Sequence, residues 1–532
     1  MATNYTRHVS TKRTPQSQPI PGEDMVKNYA GGYVFKVDDW KRLDRFLIIG
    51  TEGGTYYVRE PVLTLDNAKV IIGLIKTDGK RVVDRVVEVS DSGKAPSNDP
   101  AIFVLALCAS LGDKAVRRYA FDNLPKVARI GTHLFHFVRD LNELRGKGKL
   151  FRQAIANWYL SKSPEDLAYQ VIKYKQRDGW SHRDLLRLSH PRTSDEAINS
   201  IFKFIVDEPE VKEDRLLAPE LPAQIIASID IQELDKPEDV ASMIKNYQLP
   251  REVVPTNMLN YPVVWEALLE DMPITALIRN LGKLTEIDII KPLSRKLPDI
   301  VDKITDEKRL KRGRVHPIQV LNALYTYSRG QGIRGSLVWK PVPQIVDALD
   351  DAFYLSFNAI EPTNKNHLLG LDVSGSMTYP AGSTLLRCCD VTAAMSMVTA
   401  RLESNYFIMA FADGIRNLNV SAKDRLDSVL RKVERVNFGG TDCSLPMVYA
   451  TKNRLSVDTF CVYTDNETWA GRVHPKQALA EYRNKVNPNA KLVVLGMAST
   501  GFSIADPNDV GMLDVVGFST DVPEVIADFS RG

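Results

Sequence analysis

Cysteine is scarce in this chain. Five cysteines occur among 532 residues, an odd number without any CxxC spacing. Together with the lack of a histidine-rich segment, this argues against both a disulfide framework and a zinc site. We therefore predict reduced thiols within a core, as is usual for a cytoplasmic protein. The five residues are Cys108, Cys388, Cys389, Cys443 and Cys461.

Long apolar runs are also missing. The longest covers Ala101 to Ala109, far short of the roughly 20 residues that a membrane helix needs. The N-terminal segment is polar, mildly basic and without the apolar stretch of a secretory signal. We expect residues 1–24 to form a disordered tail, and we expect a cytoplasmic location with no membrane contact.

Acidic residues are under-represented in one part of the chain. The formal net charge is only +3, and residues 361–532 carry 17 basic and 19 acidic side chains. Between Lys114 and Arg192, by contrast, the sequence contains 17 basic residues and only 7 acidic ones, and four of the eight histidines also lie there. Such a local excess of positive charge favours binding to phosphate groups.

Helical periodicity dominates residues 98–358. Segments such as PEDLAYQVIKYKQR (164–177) and PITALIRNLGKL (273–284) place apolar residues three to four positions apart. Many such segments in tandem, joined by short polar links, predict an array of helical repeats. Residues 25–90 differ, because GGYVFKV, RFLIIG and TYYVRE are typical of short strands or of irregular packing segments around glycine-rich turns.

A third pattern begins near Pro362. Short apolar strands such as HLLGLDVS and TFCVYTD alternate with helix-like segments. This alternation predicts a parallel sheet covered by helices on both faces, a Rossmann-like α/β fold with its sites at the carboxyl ends of the strands. We therefore predict a multidomain protein, with a helical-repeat region over 25–360 and an α/β domain over 361–532.

Three polar loops of the α/β region fit a divalent-metal site. Asp372, Ser374 and Ser376 follow one strand, Thr441 lies in a glycine-rich loop, and Asp465 follows another strand. Together they resemble the metal-ion-dependent adhesion site of von Willebrand factor A domains. Mg²⁺, or alternatively Mn²⁺, suits this oxygen-rich set: the hydroxyls would ligate the ion, and the aspartates would bind its waters or the ion itself. So few charged ligands would leave the ion able to accept a carboxylate from a protein ligand.

The basic stretch contains two pairs of residues at i,i+4 spacing, Lys173 with Arg177 and Arg183 with Arg187. On helices each pair would share a face, and nearby aromatic and imidazole groups would be available for stacking on bases. The alternative is an ordinary solvated helical face with structural histidines. The candidate RNA-binding residues are Lys173, Arg177, Arg183, Arg187, His190, Arg129, Thr132 and His133.

Several segments closely resemble the Ro autoantigen family, ribonucleoproteins that contain a TROVE module and bind Y RNA. They are EGGTYY (52–57), GWSHRDLLRLSHPR (179–192), MPITALIRNLGK (272–283), GGTDCSLPM (439–447) and TDNET (464–468). The resemblance covers nearly the whole chain from about residue 30, and it implies a ring of HEAT-like helices closed by the A domain. Gly375, where animal members have alanine, would suit a bacterial member.

The resemblance also implies where RNA would bind. A small noncoding Y-like RNA would occupy the basic outer face, where Lys173, Arg177 and His190 fall on positions associated with RNA binding. Single-stranded 3′ ends of misfolded RNA would enter the central hole. We expect a non-enzymatic scaffold for noncoding-RNA stability and quality control, with a 3′ exoribonuclease as a partner. Two alternatives stay open: a metal-dependent ribonuclease, and an adaptor that captures a protein through the A-domain metal.

Overall fold

The computed structural model describes residues 13–144, 146, 148–332, 336–357, 360–382, 384–435 and 439–531. Its first part is helical. In chain order, the helices are α1 (Asp39–Ile49), α2 (Glu60–Ser92), α3 (Asp99–Leu111), α4 (Lys114–Asp122), α5 (Leu124–Val127), α6 (Gly131–Leu144), α7 (Lys149–Leu160), α8 (Pro164–Lys173), α9 (His182–Ser189), α10 (Glu196–Val206), α11 (Glu208–Glu213), α12 (Ala223–Asp230), α13 (Pro237–Tyr247), α14 (Pro262–Asp271), α15 (Ile274–Glu286), α16 (Leu297–Ile304), α17 (Glu307–Arg312), α18 (Pro317–Arg329) and α19 (Pro343–Leu355).

These helices form a repeat-like array in which packing follows the order of the chain. Helix α2 packs against α3, α3 against α6, α13 against α14 and α18 against α19. Their buried side chains merge into one continuous core. Because each helix covers its apolar face mainly with its neighbours, the array has the construction of a helical-repeat protein, as the periodicity predicted.

The first helix replaces one of the expected short strands. The Asp38 carboxylate caps α1 by accepting hydrogen bonds from the backbone N–H groups of Trp40 and Lys41, both at 3.0 Å. Leu43, Phe46 and Leu47 then face the core at helical spacing. The strand prediction for RFLIIG was wrong because so short an apolar run has no decisive period. TYYVRE forms the loop that leads into α2, which agrees with the predicted alternative of an irregular segment.

The second part is an α/β domain. Its sheet has the order β11-β9-β8-β5-β6-β7, in which only the edge strand β7 is antiparallel to its neighbour. This arrangement confirms the predicted α/β class. The strands are β5 (Asn366–Asp372), β6 (Asn405–Phe411), β7 (Ile415–Asn417), β8 (Thr459–Thr464), β9 (Lys491–Gly496) and β11 (Met512–Val516), and the helices are α20 (Cys388–Leu402), α21 (Leu426–Glu434), α22 (Leu445–Asn453), α23 (Pro475–Lys485) and α24 (Val522–Arg531).

The N-terminal segment is folded against this domain from residue 13 onward. The backbone N–H of Thr14 donates to the Gln477 side chain at 3.0 Å, across 463 residues of sequence, and Gln16 is fully buried. Strands β1 (Met25–Lys27) and β2 (Tyr33–Lys36) follow, and β10 (Phe502–Ser503) joins them from the A domain. The prediction of a disordered tail was therefore wrong for residues 13–24, because a polar composition gives no sign of such distant partners. Residues 1–12 lie outside the described part of the chain.

Both ends of the helical array contact the α/β domain, which closes a ring. At one end α1 packs beside β11, and at the other α18 packs against α20 and α21. The first junction contains Arg45, whose side chain is fully buried. Its guanidinium donates to the carbonyls of Thr500 and Phe502, both at 2.8 Å, and to Asp514 Oδ1 at 2.6 Å.

All five cysteines are buried and free, which confirms their assignment as core thiols. Within the described ranges, no helix combines the length and the apolar character that crossing a membrane would require.

The junction can be tested by replacing Arg45. Arg45→Ala removes the cationic partner of the Asp514 carboxylate, which keeps the Ser503 hydroxyl as a donor, and it removes the donor to two carbonyls. We therefore expect the free energy of unfolding to fall by about 3–5 kcal/mol. Arg431→Ala is the matched control, because Arg431 forms an exposed i,i+4 ion pair with Asp427 and should cost no more than about 0.5 kcal/mol. Urea unfolding measures both; equal losses would show that the Arg45 contacts do not stabilise the closed ring.

Candidate metal site and basic surface

The first loop of the candidate metal site begins where β5 ends. Asp372 is the last residue of that strand, and both of its carboxylate oxygens are engaged. One accepts a hydrogen bond from the Ser374 backbone N–H at 2.9 Å, and the other accepts from the Thr464 hydroxyl at 2.6 Å. Because β5 and β8 are adjacent parallel strands, these contacts join two of the three predicted loops at one edge of the sheet.

The hydroxyls of the site converge as the spacing predicted. Ser374 Oγ lies 3.2 Å from Ser376 Oγ, and the Ser376 hydroxyl is hydrogen-bonded to the Asp465 carboxylate. The Gly375 backbone N–H donates to the Gly439 carbonyl at 3.3 Å, which brings in the loop that carries the buried Thr441. The structure therefore brings the three loops to the same edge of the sheet, where the Ser374, Ser376 and Asp465 side chains are in direct contact.

The buried carboxyl groups make this cluster electrostatically unfavourable in the absence of a cation. Burial, together with the charge of Asp465, raises the pKa of Asp372, and burial also raises the pKa of Asp465. Burial and Asp465 likewise raise the pKa of Glu467, whose Oε1 has no hydrogen-bond partner among the described residues. Within the described ranges, no group of three or more His, Cys, Asp and Glu side chains is placed to hold a metal ion, so any ion here would depend on the hydroxyls.

A residue from outside the domain holds two of these loops together. Gln16 Nε2 donates to Asp442 Oδ1 at 2.8 Å and to the Val473 carbonyl at 2.9 Å. Its Oε1 accepts hydrogen bonds from the Thr468 hydroxyl and from the backbone N–H of Gly471. Gln16 thus bridges the segment after Thr441 to the segment after Asp465. No motif marked it, since its partners become neighbours only in the folded chain.

The predicted pair of Lys173 and Arg177 does not share a helical face. Helix α8 ends at Lys173, and Arg177 lies in a two-residue strand, β3 (Gln176–Arg177), paired with β4 (Trp180–Ser181). Asp178 and Gly179, both at positive φ, make the tight turn between these strands. Arg177 is exposed, whereas Lys173 is half-buried and its ammonium donates to the Tyr169 hydroxyl at 2.8 Å. The i,i+4 prediction was therefore wrong for this pair.

The second predicted pair is as expected. Ser181 and Asp184 form a capping box that starts α9, and Arg183 and Arg187 lie exposed along that helix. The hydrogen bond from Lys203 has the largest effect in lowering the pKa of Asp207, and the charges of Arg183 and Arg187 lower that pKa further. His190 ends the helix in the left-handed conformation with its side chain exposed. We call Arg177, Arg183, Arg187 and His190 the basic surface.

The remaining candidates are less accessible. Arg129 donates to the Ser90 hydroxyl at 2.8 Å, and burial lowers its pKa. His133 is largely enclosed, and burial with the nearby Arg129 charge lowers its pKa to about 3. Thr132 is partly exposed on the first turn of α6. These three residues therefore lie deeper in the helical array than the basic surface does.

A cavity of about 1220 Å³ lies between the helical array and the A domain. Among the described lining residues from 251–339, three are cations, Arg251, Arg279 and Lys283, and none is acidic; Glu286, outside the lining, pairs with Lys283 at 2.7 Å. The acidic lining residues all lie between residues 52 and 140. We call the first part the cationic wall of the central cavity. Its segment 272–283 was noticed only through family resemblance, because no cluster of charge marks it in the sequence.

The candidate metal site opens beside this cavity. A smaller cavity of about 30 Å³ is lined by Ser376 and Asp465 and shares Gly50, Thr51 and Ala381 with the central one. Its volume is sufficient for about one water-sized group.

Comparisons with known proteins agree with this architecture. The TROVE domain model matches residues 26–218 and 247–325, and the Ro60 vWA domain model matches residues 366–530. The chain is thus a TROVE domain joined to a von Willebrand factor A domain. It belongs to the Ro60 family.

Individual relatives match almost end to end. The chain is 42% identical to the RNA-binding protein RO60 of Deinococcus radiodurans over 99% of both sequences. It is 35% identical to the RNA-binding protein RO60 of Caenorhabditis elegans, over 98% of this chain and 92% of the other. The crystal structure of the Deinococcus radiodurans RO (RSR) protein matches with a TM-score of 0.69 and 41% identity, over 93% of this chain and 100% of that one.

A buried histidine beneath the basic surface generates a pH prediction. His182 Nδ1 is hydrogen-bonded to the Tyr159 hydroxyl at 2.8 Å, and burial lowers its pKa to about 4. The unfolded chain therefore binds a proton that the folded chain does not, so stability is complete above the unfolded pKa near 6.5 and falls with pH toward the folded value. At pH 5 this single group should cost about 2 kcal/mol relative to pH 7.

Urea unfolding at the two pH values tests this. His182→Asn should be less stable than the wild type at pH 7, yet it should lose about 2 kcal/mol less on acidification. His190→Asn, at an exposed position, should keep the wild-type response to pH. A His182→Asn variant with the full acid response would show that His182 is not the titrating group.

Proposed function

We propose that this protein is an RNA-binding scaffold whose central cavity receives single-stranded RNA ends. The observation that carries the proposal is the cationic wall, where Arg251, Arg279 and Lys283 line one side of the cavity; of these, Lys283 is also paired with Glu286 at 2.7 Å. Trp265 and Trp339 also line the cavity, and cations combined with aromatic rings are the usual means of holding a single strand. The two relatives described above are both named as RNA-binding proteins, which supports the same function.

The basic surface would bind a folded RNA. Its cations project from α9 and the adjoining hairpin, outside the central cavity, where a helical RNA can approach. Contacts to phosphates would dominate such an interface. We propose a small noncoding Y-like RNA as this ligand and misfolded RNA 3′ ends as the ligand of the cavity. We further propose a role in noncoding-RNA stability and quality control in the cytoplasm, with a 3′ exoribonuclease as a partner.

The A-domain site would hold Mg²⁺ or Mn²⁺. The residues present fit such an ion, because the hydroxyls of Ser374, Ser376 and Thr441 supply neutral oxygen ligands and the raised carboxyl pKa values mark a place where a cation is favoured. When bound, the ion would offer a position for a carboxylate from a protein ligand. We propose no catalytic step, since a two-metal nuclease needs several converging carboxylates.

The first test concerns the cavity. We expect a hairpin with a single-stranded 3′ tail to bind at least about tenfold more tightly than the same hairpin with a blunt end, because only unpaired bases can stack in a narrow, aromatic-lined space. Filter binding measures both. Equal affinities would contradict the proposed role of the cavity, and magnesium-dependent shortening of the tail by purified protein would establish a nuclease instead.

The second test concerns the basic surface. Removing Arg183 and Arg187 together should weaken binding of a folded Y-like RNA by about tenfold or more and reduce the salt slope by about 0.7–0.9 per lost contact. The matched control is the double change Lys423→Ala and Lys452→Ala, at exposed A-domain positions. If the arginine double variant melts normally and keeps the wild-type slope, the surface is a solvated face and not an RNA site.

The third test concerns the metal. Asp372→Asn keeps the shape of the side chain but removes a charge, so we expect calorimetry to detect no Mg²⁺ binding while RNA affinity stays within about twofold. Asp424→Asn, at an A-domain position away from the three loops, is the control. Failure of the wild type to bind Mg²⁺ or Mn²⁺ would reject the metal site, and a parallel loss of RNA affinity would reject the separation of the two functions.

A further inference from the structure

A second cavity, of about 290 Å³, lies between α8, α13, α14 and α15. Tyr169 and Lys173 line it from α8, Arg251 and Glu252 from the turn after α13, Asp271 from the end of α14 and Asn280 from α15. We call it the side cavity. Gln248, which also lines it, is held at a φ of 51°, a left-handed conformation that costs a non-glycine residue free energy.

The side cavity lies between the two proposed RNA sites. Arg251 and Asn280 line both the side cavity and the central cavity, so the cationic wall continues into it. Lys173 also lines the side cavity, and it ends α8 directly before the hairpin that carries Arg177. A strand that follows the cationic wall would therefore pass the opening of the side cavity.

The charges of the side cavity do not suit a phosphate group. Two cations, Lys173 and Arg251, are accompanied by two carboxylates, Glu252 and Asp271. The Lys173 ammonium is further engaged by the Tyr169 hydroxyl and lies 4.9 Å from the Tyr169 ring centre and 5.4 Å from that of Tyr174. A balanced set of charges beside an aromatic ring favours a neutral ligand with a flat face and polar edges.

A nucleobase has this chemistry. Unpaired bases are recognised by stacking on aromatic or guanidinium groups and by hydrogen bonds at their edges, and carboxylates accept hydrogen bonds from exocyclic amino groups. The volume is at the lower end of the range for small-ligand pockets. We propose that the side cavity binds one unpaired nucleobase with an exocyclic amino group, turned out of an RNA strand in the central cavity. This inference rests on the proposed function.

The experiment replaces each nucleotide of a short single-stranded RNA in turn by an abasic one and measures affinity for the full-length protein. We expect one position at which the loss is about tenfold, with uracil there weaker than adenine, guanine or cytosine. Ala276→Phe, which fills the side cavity without changing charge, should bind the intact strand as weakly as the wild type binds that abasic strand, and it should no longer respond to the abasic change. Ser242→Phe adds the same ring at an exposed position and should behave as the wild type.

The outcomes separate this inference from the proposed function. If the wild type binds the intact strand but tolerates an abasic nucleotide at every position, the inference fails and the function stands. If the wild type does not bind the intact strand, both fail. If Ala276→Phe unfolds at a lower temperature than the wild type, two further measurements test the inference. The first is RNA binding by Ala276→Leu, and the second is the fluorescence quenching of 2-aminopurine placed at the sensitive position of an RNA bound to the wild type. An unquenched base would overturn the inference.

Discussion

The closed ring depends on a buried guanidinium. The Arg45 side chain is fully buried where α1 meets the A domain. Two carbonyls and the Asp514 carboxylate accept its hydrogen bonds, and these bonds offset the free-energy cost of burying the charge. The same short segment after β9 supplies β10, which extends the N-terminal sheet. One polar junction therefore joins the start of the helical array to the A domain, beside the central cavity that Phe46 and Ile48 of the same helix line.

A second polar junction orders the metal loops. The N-terminal segment crosses the A domain and inserts Gln16 between the loop of Thr441 and the loop of Asp465. Loops of this kind have few apolar contacts of their own, so a buried amide that bonds to both of them limits their relative motion. The same N-terminal region makes a further contact, because the backbone N–H of Ala30 donates to Glu467 Oε2 at 2.9 Å. The A-domain site is thus built by residues from both ends of the chain.

The basic stretch divides into groups with different physical roles. Arg183 and Arg187 are exposed and can meet phosphates without losing an internal partner. Arg129 is bound to Ser90 inside the array, and Lys173 is held among tyrosines. The density of basic residues in the sequence does not distinguish these side chains from one another. Their exposure separates the cations available to an outer ligand from those that stabilise the array or line its cavities.

The sequence by itself determined the features that local pattern controls. These are the helical array, the alternating α/β domain, and the three loops with Asp372, Ser374, Ser376, Thr441 and Asp465, because periodicity and strand-end motifs act over a few residues. Only the tertiary structure decided that residues 13–24 are folded, that RFLIIG is a helix, that Lys173 and Arg177 diverge, and that Arg45, Gln16 and the cationic wall matter. Each of these depends on partners hundreds of residues away or on where a short helix ends, and neither property is encoded in the spacing of neighbouring residues.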